Sequence, residues 1–424
     1  MKAHNKQSQL RAIIASLIGN TLEWFDYTLY AYFATVISAL FFPNHGLYVG
    51  MLMTFATFTV GLAARPIGGI IFGYIGDKYS RKKMLFITML LMSIPTLCIG
   101  MLPTYDSIGV LAPIILVTLR ILQGVALGGE FGASCVYLYE SAEQNKRSFY
   151  GSLPLTGVGL GLVLSASTVF LIESIFTKEE VYDFAWRIPF FISVFGAIIA
   201  LYIRSSLLET IDFIEAKLNK SLVQNPIYEL FKNYKYSLLK LFAIFLTTQV
   251  SFFVVFIFGK SMMIEFLSYS NETAGKFNLL TVVSYTVSTF VSGYISSKIN
   301  KRSIILFGII GIFFSAYPFI LSLQSGNLYN ILFMSMLLGI FIGMTESLLN
   351  PLVAEEFPVS IRATGISFCW NFTSIAFGAT APLLSMWAIK NIAGVDSVAW
   401  LLMSVCIISI SAIFICKIGQ KTKI

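Results

Sequence analysis

Charge is scarce in this 424-residue chain. Asp, Glu, Lys and Arg together supply only 12% of it, while 57% is hydrophobic and the mean hydropathy is +0.80. A water-soluble domain needs far more charge on its surface, so that class is excluded. Histidine is scarcer still. His4 lies in the tail and His45 between the first two apolar runs, which excludes a histidine-based metal site. The five cysteines, Cys98, Cys135, Cys369, Cys406 and Cys416, all fall in apolar runs with no C-x-x-C spacing, and they read as small packing residues. No G-x-x-x-x-G-K-S/T occurs, which excludes an ATP motor of that kind. No nucleophile–base or metal constellation points to an enzyme.

What the chain does have is apolar length. A bilayer span needs about 20 mostly apolar residues. About twelve such stretches are present, roughly 12–41, 50–74, 84–102, 108–136, 150–176, 186–204, 238–267, 276–297, 303–323, 328–353, 363–388 and 397–416. They predict helices, because a helix satisfies its own backbone in lipid, whereas a barrel would show shorter alternating segments. The first run lacks an A-x-A cleavage pattern and carries Glu23 and Asp26, so it reads as a span and not a signal peptide.

The net charge of +8 does not indicate nucleic-acid binding, because its distribution is that of a membrane protein. With the N-terminus inside, alternate connections hold Lys2, Lys6, Arg11; Lys78, Arg81, Lys82, Lys83; Lys146, Arg147; Arg204, Lys217, Lys220, Lys232, Lys235, Lys240; Lys298, Lys301, Arg302; Arg362; and Lys417, Lys421, Lys423. The opposite side holds only Lys178, Arg187, Lys276 and Lys390. The positive-inside rule then places both termini in the cytoplasm of a multi-pass plasma (inner) membrane protein.

The longest polar interruption divides the chain into a bundle at 1–204, a cytoplasmic loop at 205–237 and a second bundle at 238–424. Within the loop, Leu207, Ile211, Ile214 and Leu218 recur at helical spacing, which predicts an amphipathic helix at the inner surface. The halves echo each other. Gly73-Tyr-Ile-Gly-Asp77-Lys-Tyr-Ser-Arg81 follows the second span and Gly293-Tyr-Ile-Ser-Ser297-Lys-Ile-Asn-Lys301 the eighth. Glu140 stands seven before Arg147, and Glu355 seven before Arg362. The fold expected is all-α and membrane-embedded, with about twelve helices in two pseudo-repeated six-helix bundles, a common transporter plan.

Gly73-x-x-x-Asp77-x-x-x-Arg81-Lys-Lys resembles the inner-loop signature of the major facilitator superfamily, and Arg120-Ile-Leu-Gln123-Gly124 resembles its fourth-span signature. Further stretches resemble its metabolite:proton symporter branch, which includes proline/betaine, α-ketoglutarate, shikimate and citrate carriers. They are Gly19-Asn20-Thr-Leu-Glu23-Trp24-Phe25-Asp26-Tyr27, Arg65-Pro66-Ile-Gly68, Leu127-Gly128-Gly129-Glu130, Trp186-Arg187-Ile-Pro189-Phe190 and Glu356-Phe357-Pro358-x-x-x-Arg362-Ala-Thr-Gly365. The resemblance implies a secondary transporter with a charge network of Asp77, Arg81, Glu140, Arg147, Glu355 and Arg362 that latches one end. Ser297 stands where the first loop has Asp77, so the second half is expected to lack that charge. The last apolar run is followed by only a few residues in this sequence, so the long C-terminal coiled coil of osmosensing proline/betaine members is not expected.

Candidate chemistry lies in the buried charges. Glu23 and Asp26 share one helix face with Asn20, Tyr27 and Tyr30 nearby. Burial and mutual repulsion disfavour the doubly charged state, which suits a proton carrier; the alternative is a structural tie to a basic side chain. Arg120, with Gln123 on its face, offers a planar fork for a substrate carboxylate, or a partner for Glu23 or Asp26. Arg65 and Glu130 read equally as structural pairs or as transport groups. Glu346, with Thr345 and Asn350, is a candidate for a substrate ammonium or a proton. Lys260 reads as a residue that snorkels to the interface. Trp24, Phe25, Tyr27 and Trp370 offer aromatic faces to a quaternary ammonium, or simply pack. Gly124-x-x-x-Gly128, Gly157-Val-Gly159-Leu-Gly161 and Gly339-x-x-x-Gly343 predict close helix approach. The middle run is no dinucleotide site, since no strand precedes it.

The function expected is proton-coupled symport of a small polar metabolite by alternating access, with a zwitterion such as proline or betaine favoured by the mix of Arg120 and acids. The alternatives are a dicarboxylate symporter of the α-ketoglutarate kind, an uncoupled facilitator and a non-transporting receptor. The expected partners are the substrate, protons and the bilayer, with no cofactor beyond the coupling proton, and the protein is expected to act as a monomer.

Overall fold

The computed structural model describes residues 2–43 and 46–415, without the side chains of 2–12, 46–48, 51, 52, 55, 271 and 415. Of the residues named above, His45, Cys416, Lys417, Lys421 and Lys423 lie outside the described residues, as do the side chains of Lys2, His4, Lys6 and Arg11.

The described residues form helices and no strands. The membrane-length ones are α1 (Lys2–Tyr32, extended by Ala34–Phe41), α2 (Gly46–Lys78), α3 (Arg81–Met101), α4 (Leu111–Ser141), α5 (Arg147–Ile175) and α6 (Ile188–Ser205). After the linker come α7 (Lys235–Leu267), α8 (Asn271–Ile295), α9 (Lys301–Ser325), α10 (Leu328–Glu356), α11 (Val359–Ala393) and α12 (Asp396–Ile415). Ten are apolar enough to cross a bilayer by composition alone; α1 and α8 are not among them. The reason lies in what they bury. Helix α1 carries Asn20, Glu23 and Asp26, and α8 carries Thr281, Ser284, Thr286, Ser288, Thr289 and Ser292, all buried against protein. Large apolar side chains such as Ile94, Phe195, Phe314 and Phe414 stand exposed around the perimeter, where a bilayer would cover them.

Local chemistry sets the ends. Ser80, Asn300 and Asn327 cap α3, α9 and α10 by accepting from backbone N–H groups of the first turn. Gly326, at φ 69°, closes α9 in the left-handed conformation that glycine tolerates.

Packing repeats between the halves. Helix α2 lies along α4 and α3 along α6; α8 lies along α10 and α9 along α12. The halves meet where α2 crosses α11 and where α5 crosses α8. Two glycines permit these crossings. A Cβ on Gly73 would sit 2.9 Å from the Thr364 backbone, and one on Gly293 would sit 2.0 Å from Ser152 Oγ. The predicted glycine seams also hold: a Cβ on Gly124 would meet the Gly61 carbonyl oxygen at 1.8 Å, and one on Gly343 the Tyr285 carbonyl oxygen at 2.7 Å. One cysteine departs from the packing reading. Cys98 is exposed, whereas Cys135, Cys369 and Cys406 are buried.

The linker carries two short helices, Ile211–Leu218 and Pro226–Asn233. The first leaves Ile211, Ile214 and Leu218 exposed but buries Phe213 against the bundle; Leu207 is buried too and does not share the exposed face.

Candidate functional site: a central cavity and a charged gate

Between the halves lies a small cavity with room for about one water molecule, lined by Trp24, Arg65, Leu155, Val158, Gln249, Phe252, Phe253, Glu346, Trp370 and Ser374. Both halves contribute walls. The helices beside it depart from regular geometry: α7 widens to i→i+5 bonding over Phe253–Phe258 and α11 over Ser374–Ala379. Such turns reorient side chains and cluster at functional sites. Glu346 accepts a 2.7 Å hydrogen bond from the Tyr285 hydroxyl. Nearby on α10, neither side-chain polar atom of the buried Asn350 has a protein partner.

The acids of α1 are held differently from each other. Both carboxylate oxygens of Glu23 are buried without a hydrogen-bond donor. Asp26 accepts from Thr96 Oγ1 at 2.9 Å. Thr96 in turn accepts from Gln123 Nε2 at 2.9 Å, and Gln123 Oε1 accepts from Arg120 Nη1 at 2.8 Å. A relay of side chains therefore joins Arg120 to Asp26. The direct ion pair weighed from sequence does not form: Arg120 pairs with neither Glu23 nor Asp26 among the described residues. Its guanidinium is boxed by rings instead, 4.2 Å from Tyr30, 4.9 Å from Tyr27 and 5.5 Å from Phe58. Neither Arg120 nor Tyr27 is among the residues that line the cavity; the cation that lines it is Arg65.

Glu130 resolves as a structural pair. Arg204 grips its carboxylate with both terminal nitrogens, Thr88 donates to it as well, and Arg204 Nη1 also donates to the Leu85 carbonyl at 2.7 Å. Arg204 is thus no loop charge but a buried one. Gly19 makes room for it, since a Cβ there would fall 1.7 Å from Arg204 Nη2. Lys260 is partly buried, with Glu173 of α5 as its electrostatic neighbour.

At one end of the bundle the predicted charge network is assembled, with different partners from those the spacing suggested. Asp77 accepts from Arg81 at 2.5 Å and from the Ala363 and Thr364 backbone N–H groups at 3.0 and 2.7 Å, so it caps the start of α11 across the halves. Arg81 also donates to Glu140 at 3.2 Å and to the Val359 carbonyl at 2.8 Å. Glu140 does not pair with Arg147. It pairs with Arg362 of the other half at 2.9 Å. Arg147 pairs with Asp212 at 2.8 Å, and Asp212 reaches Arg362 at 3.4 Å. Glu355 pairs with Lys301 and not with Arg362. The seven-residue spacing places each Glu and Arg on the two sides of a turn between helices, where each finds a partner elsewhere. The linker is part of this lock: Thr210 donates to Glu140 at 2.7 Å and Glu209 accepts from the Arg81 backbone at 3.2 Å.

Sequence reasoning missed Asp212, Lys301, Gln249, Ser374 and Asn371. The first two read as ordinary loop charges. The others are ordinary polar residues of apolar helices: Gln249 and Asn371 lie in regular helix just before the widened turns of α7 and α11, and Ser374 lies in the second of those turns.

Two six-helix halves around a cavity with aromatic and charged walls, joined at one end by cross-half ion pairs, have the architecture of a membrane transport protein. The Major Facilitator Superfamily profile matches residues 16–379. The chain is 32% identical to the proline/betaine transporter of Escherichia coli K12, covering 94% of this chain and 82% of that one. It is also 32% identical to the shikimate transporter of the same strain, over 97% and 95%. Its fold is similar to that of the proton:xylose symporter XylE bound to 6-bromo-6-deoxy-D-glucose, with a TM-score of 0.81, 14% identity and coverage of 99% and 97%. To the inward open conformation of XylE from E. coli the TM-score is 0.66, with 17% identity over 98% and 97%. The chain belongs to the major facilitator superfamily, as a multi-span solute transporter.

Proposed function

We propose that this chain is a proton-coupled symporter for a small zwitterionic solute of the proline or betaine type. The observation that carries the reading is the cavity wall. Arg65 and Glu346 supply opposite charges, and Trp24 and Trp370 supply aromatic faces suited to a substituted ammonium. Glu23, Asp26 and Glu346 are buried carboxylates without a cationic partner at ion-pair distance among the described residues, which suits groups that exchange protons during the cycle. The halves rock about the cavity, and proton and substrate bias the same equilibrium. The Asp77 end faces the cytoplasm of an inner membrane, as do both termini, because the basic connections gather there. A single chain encloses the cavity, so the working unit is a monomer. No cofactor beyond the proton is required.

A second reading, symport of a monocarboxylate without an ammonium, is supported by the equal similarity to the shikimate transporter. Uptake into liposomes holding the purified protein tests both. Proline, glycine betaine, shikimate, α-ketoglutarate and citrate are offered with and without an acid-outside gradient. Concentrative uptake of proline or betaine that an uncoupler abolishes is expected. Uptake that only equilibrates makes the protein a facilitator. Asp26→Asn is expected to abolish accumulation above equilibrium while sparing membrane insertion; unchanged accumulation removes Asp26 from coupling.

A further inference from the structure

We propose that Arg65 is the carboxylate-binding side chain of the cavity and that Asn371, from the opposite half, is the positioning residue that aims it. The proposal rests on the transport reading above, but not on the substrate being a zwitterion.

Arg65 is fully buried on α2 and lines the cavity. Its Nε donates to Asn371 Oδ1 at 3.1 Å, and its Nη2 has no protein partner. A guanidinium is a rigid planar fork, so fixing one edge fixes the direction of the rest. The Trp24 ring lies 5.9 Å from its central carbon. A buried cationic N–H without an acceptor is costly, and a carboxylate oxygen supplies the strong charge-assisted bond that relieves it.

Asn371 is itself held without ambiguity. Its Nδ2 donates to the Gly128 carbonyl at 2.6 Å and to the Ser367 carbonyl at 2.7 Å. Two carbonyl acceptors require the amide nitrogen there, which leaves Oδ1 for Arg65. The surroundings are cut to fit. A Cβ on Gly69 would fall 2.6 Å from Asn371 Nδ2, and one on Gly128 would fall 2.0 Å from the Arg65 carbonyl. Asn371 belongs to α11, while Arg65 and Gly128 belong to α2 and α4. Rocking the halves apart at this depth therefore breaks the Asn371 bonds to Arg65 and Gly128 and releases the guanidinium. Carboxylate binding and closure around it then favour one another, which is the linkage a carrier needs.

The test uses two ligand pairs that differ only in the carboxylate: proline with prolinamide, and shikimate with its methyl ester. Binding to purified protein is read by ligand-induced thermal stabilisation, and half-saturation by uptake into liposomes. Wild-type protein is expected to prefer the acid member of a pair by at least about tenfold. Arg65→Lys and Asn371→Ala are expected to cut that preference to about threefold or less, with the neutral member bound within about twofold of wild type. Asn371→Ser, which keeps a small polar group, should fall between. A merely structural role would weaken both members equally, and that result overturns the proposal. So does a wild-type protein with no acid preference, which needs no variant to fold. A preference for shikimate with proline silent sinks the zwitterion reading and leaves this one standing. Proline uptake whose acid preference neither substitution moves sinks this one and leaves the zwitterion reading standing.

Discussion

The two loops that repeat the same sequence pattern, one after α2 and one after α8, have been built into different machines. In the first, Asp77, Arg81 and Glu140 are buried, and they hold both the start of α11 and Arg362 of the other half. In the second, Ser297 is exposed and donates only to the Tyr294 carbonyl of its own helix, while Lys301 pairs with Glu355 beside it in the same half. Glycine is kept in both, because both crossings bring a backbone against the opposite half. The carboxylate is kept in one. Arg147, at the start of α5, pairs with the linker's Asp212. A duplicated fold therefore has a single deep latch, reinforced by the segment that joins its halves.

The difference can be broken at its strongest point. Asp77 accepts three donors with two oxygens, so Asp77→Asn replaces an acceptor by a donor facing an N–H and leaves Arg81 partly unpaired. Breaking a buried pair from one side costs about 3–5 kcal/mol. That cost shifts the closed-state population by about a hundredfold or more, so net uptake is expected to fall at least about tenfold, with a cysteine placed by Ser374→Cys becoming open to labelling from the Asp77 end. Uptake within twofold of wild type, by about the same scale, would mean that the latch is dispensable.

The linker's share is smaller. Asp212→Asn removes the charge shared by Arg147 and Arg362 but leaves Glu140 on Arg362, so about 1–2 kcal/mol of closed-state stability is expected to go. Its signature is faster labelling at the same position with folding intact. No change in labelling would reduce the linker to a tether.

Ser297→Asp sharpens the comparison in the other direction. If the loops are equivalent, the new carboxylate meets the start of α5 as Asp77 meets α11, gaining about 0.3–1 kcal/mol. Slower labelling and slower net uptake are the expected readouts; faster labelling would show that the second crossing is not the mirror of the first. Glu355→Gln should do least. Its ion pair is half-exposed, and such pairs are worth about 0–1 kcal/mol, so uptake and thermal stability should both stay near wild type. A large loss would place the Lys301–Glu355 pair inside the gate.

Span number, helical class and the internal duplication were legible because each rests on local facts: the apolar length a bilayer demands, the backbone's need to pair with itself in lipid, and repeated motifs. The buried acids of α1 and α10 were legible because a charge in an apolar run has few places to go. Partners were not. Glu140 and Arg147 look matched along the chain, yet Glu140 binds Arg81 and Arg362. Arg204 looks like the last charge before a loop, yet it lies buried on Glu130 against Gly19. Arg120 looks like a cation open to a substrate, yet three aromatic rings surround it, while Arg65, bonded to Asn371 of α11, lines the cavity.

Hydrophobic length and charge placement are properties of single segments, so residue order alone settles that this chain spans a membrane about twelve times in two related halves. The partner of each buried charge depends on which residue of a distant helix lies within about 3 Å of it, the range of a hydrogen bond. That is set by helix crossings, glycine contacts and widened turns, and it exists only once the two halves have met.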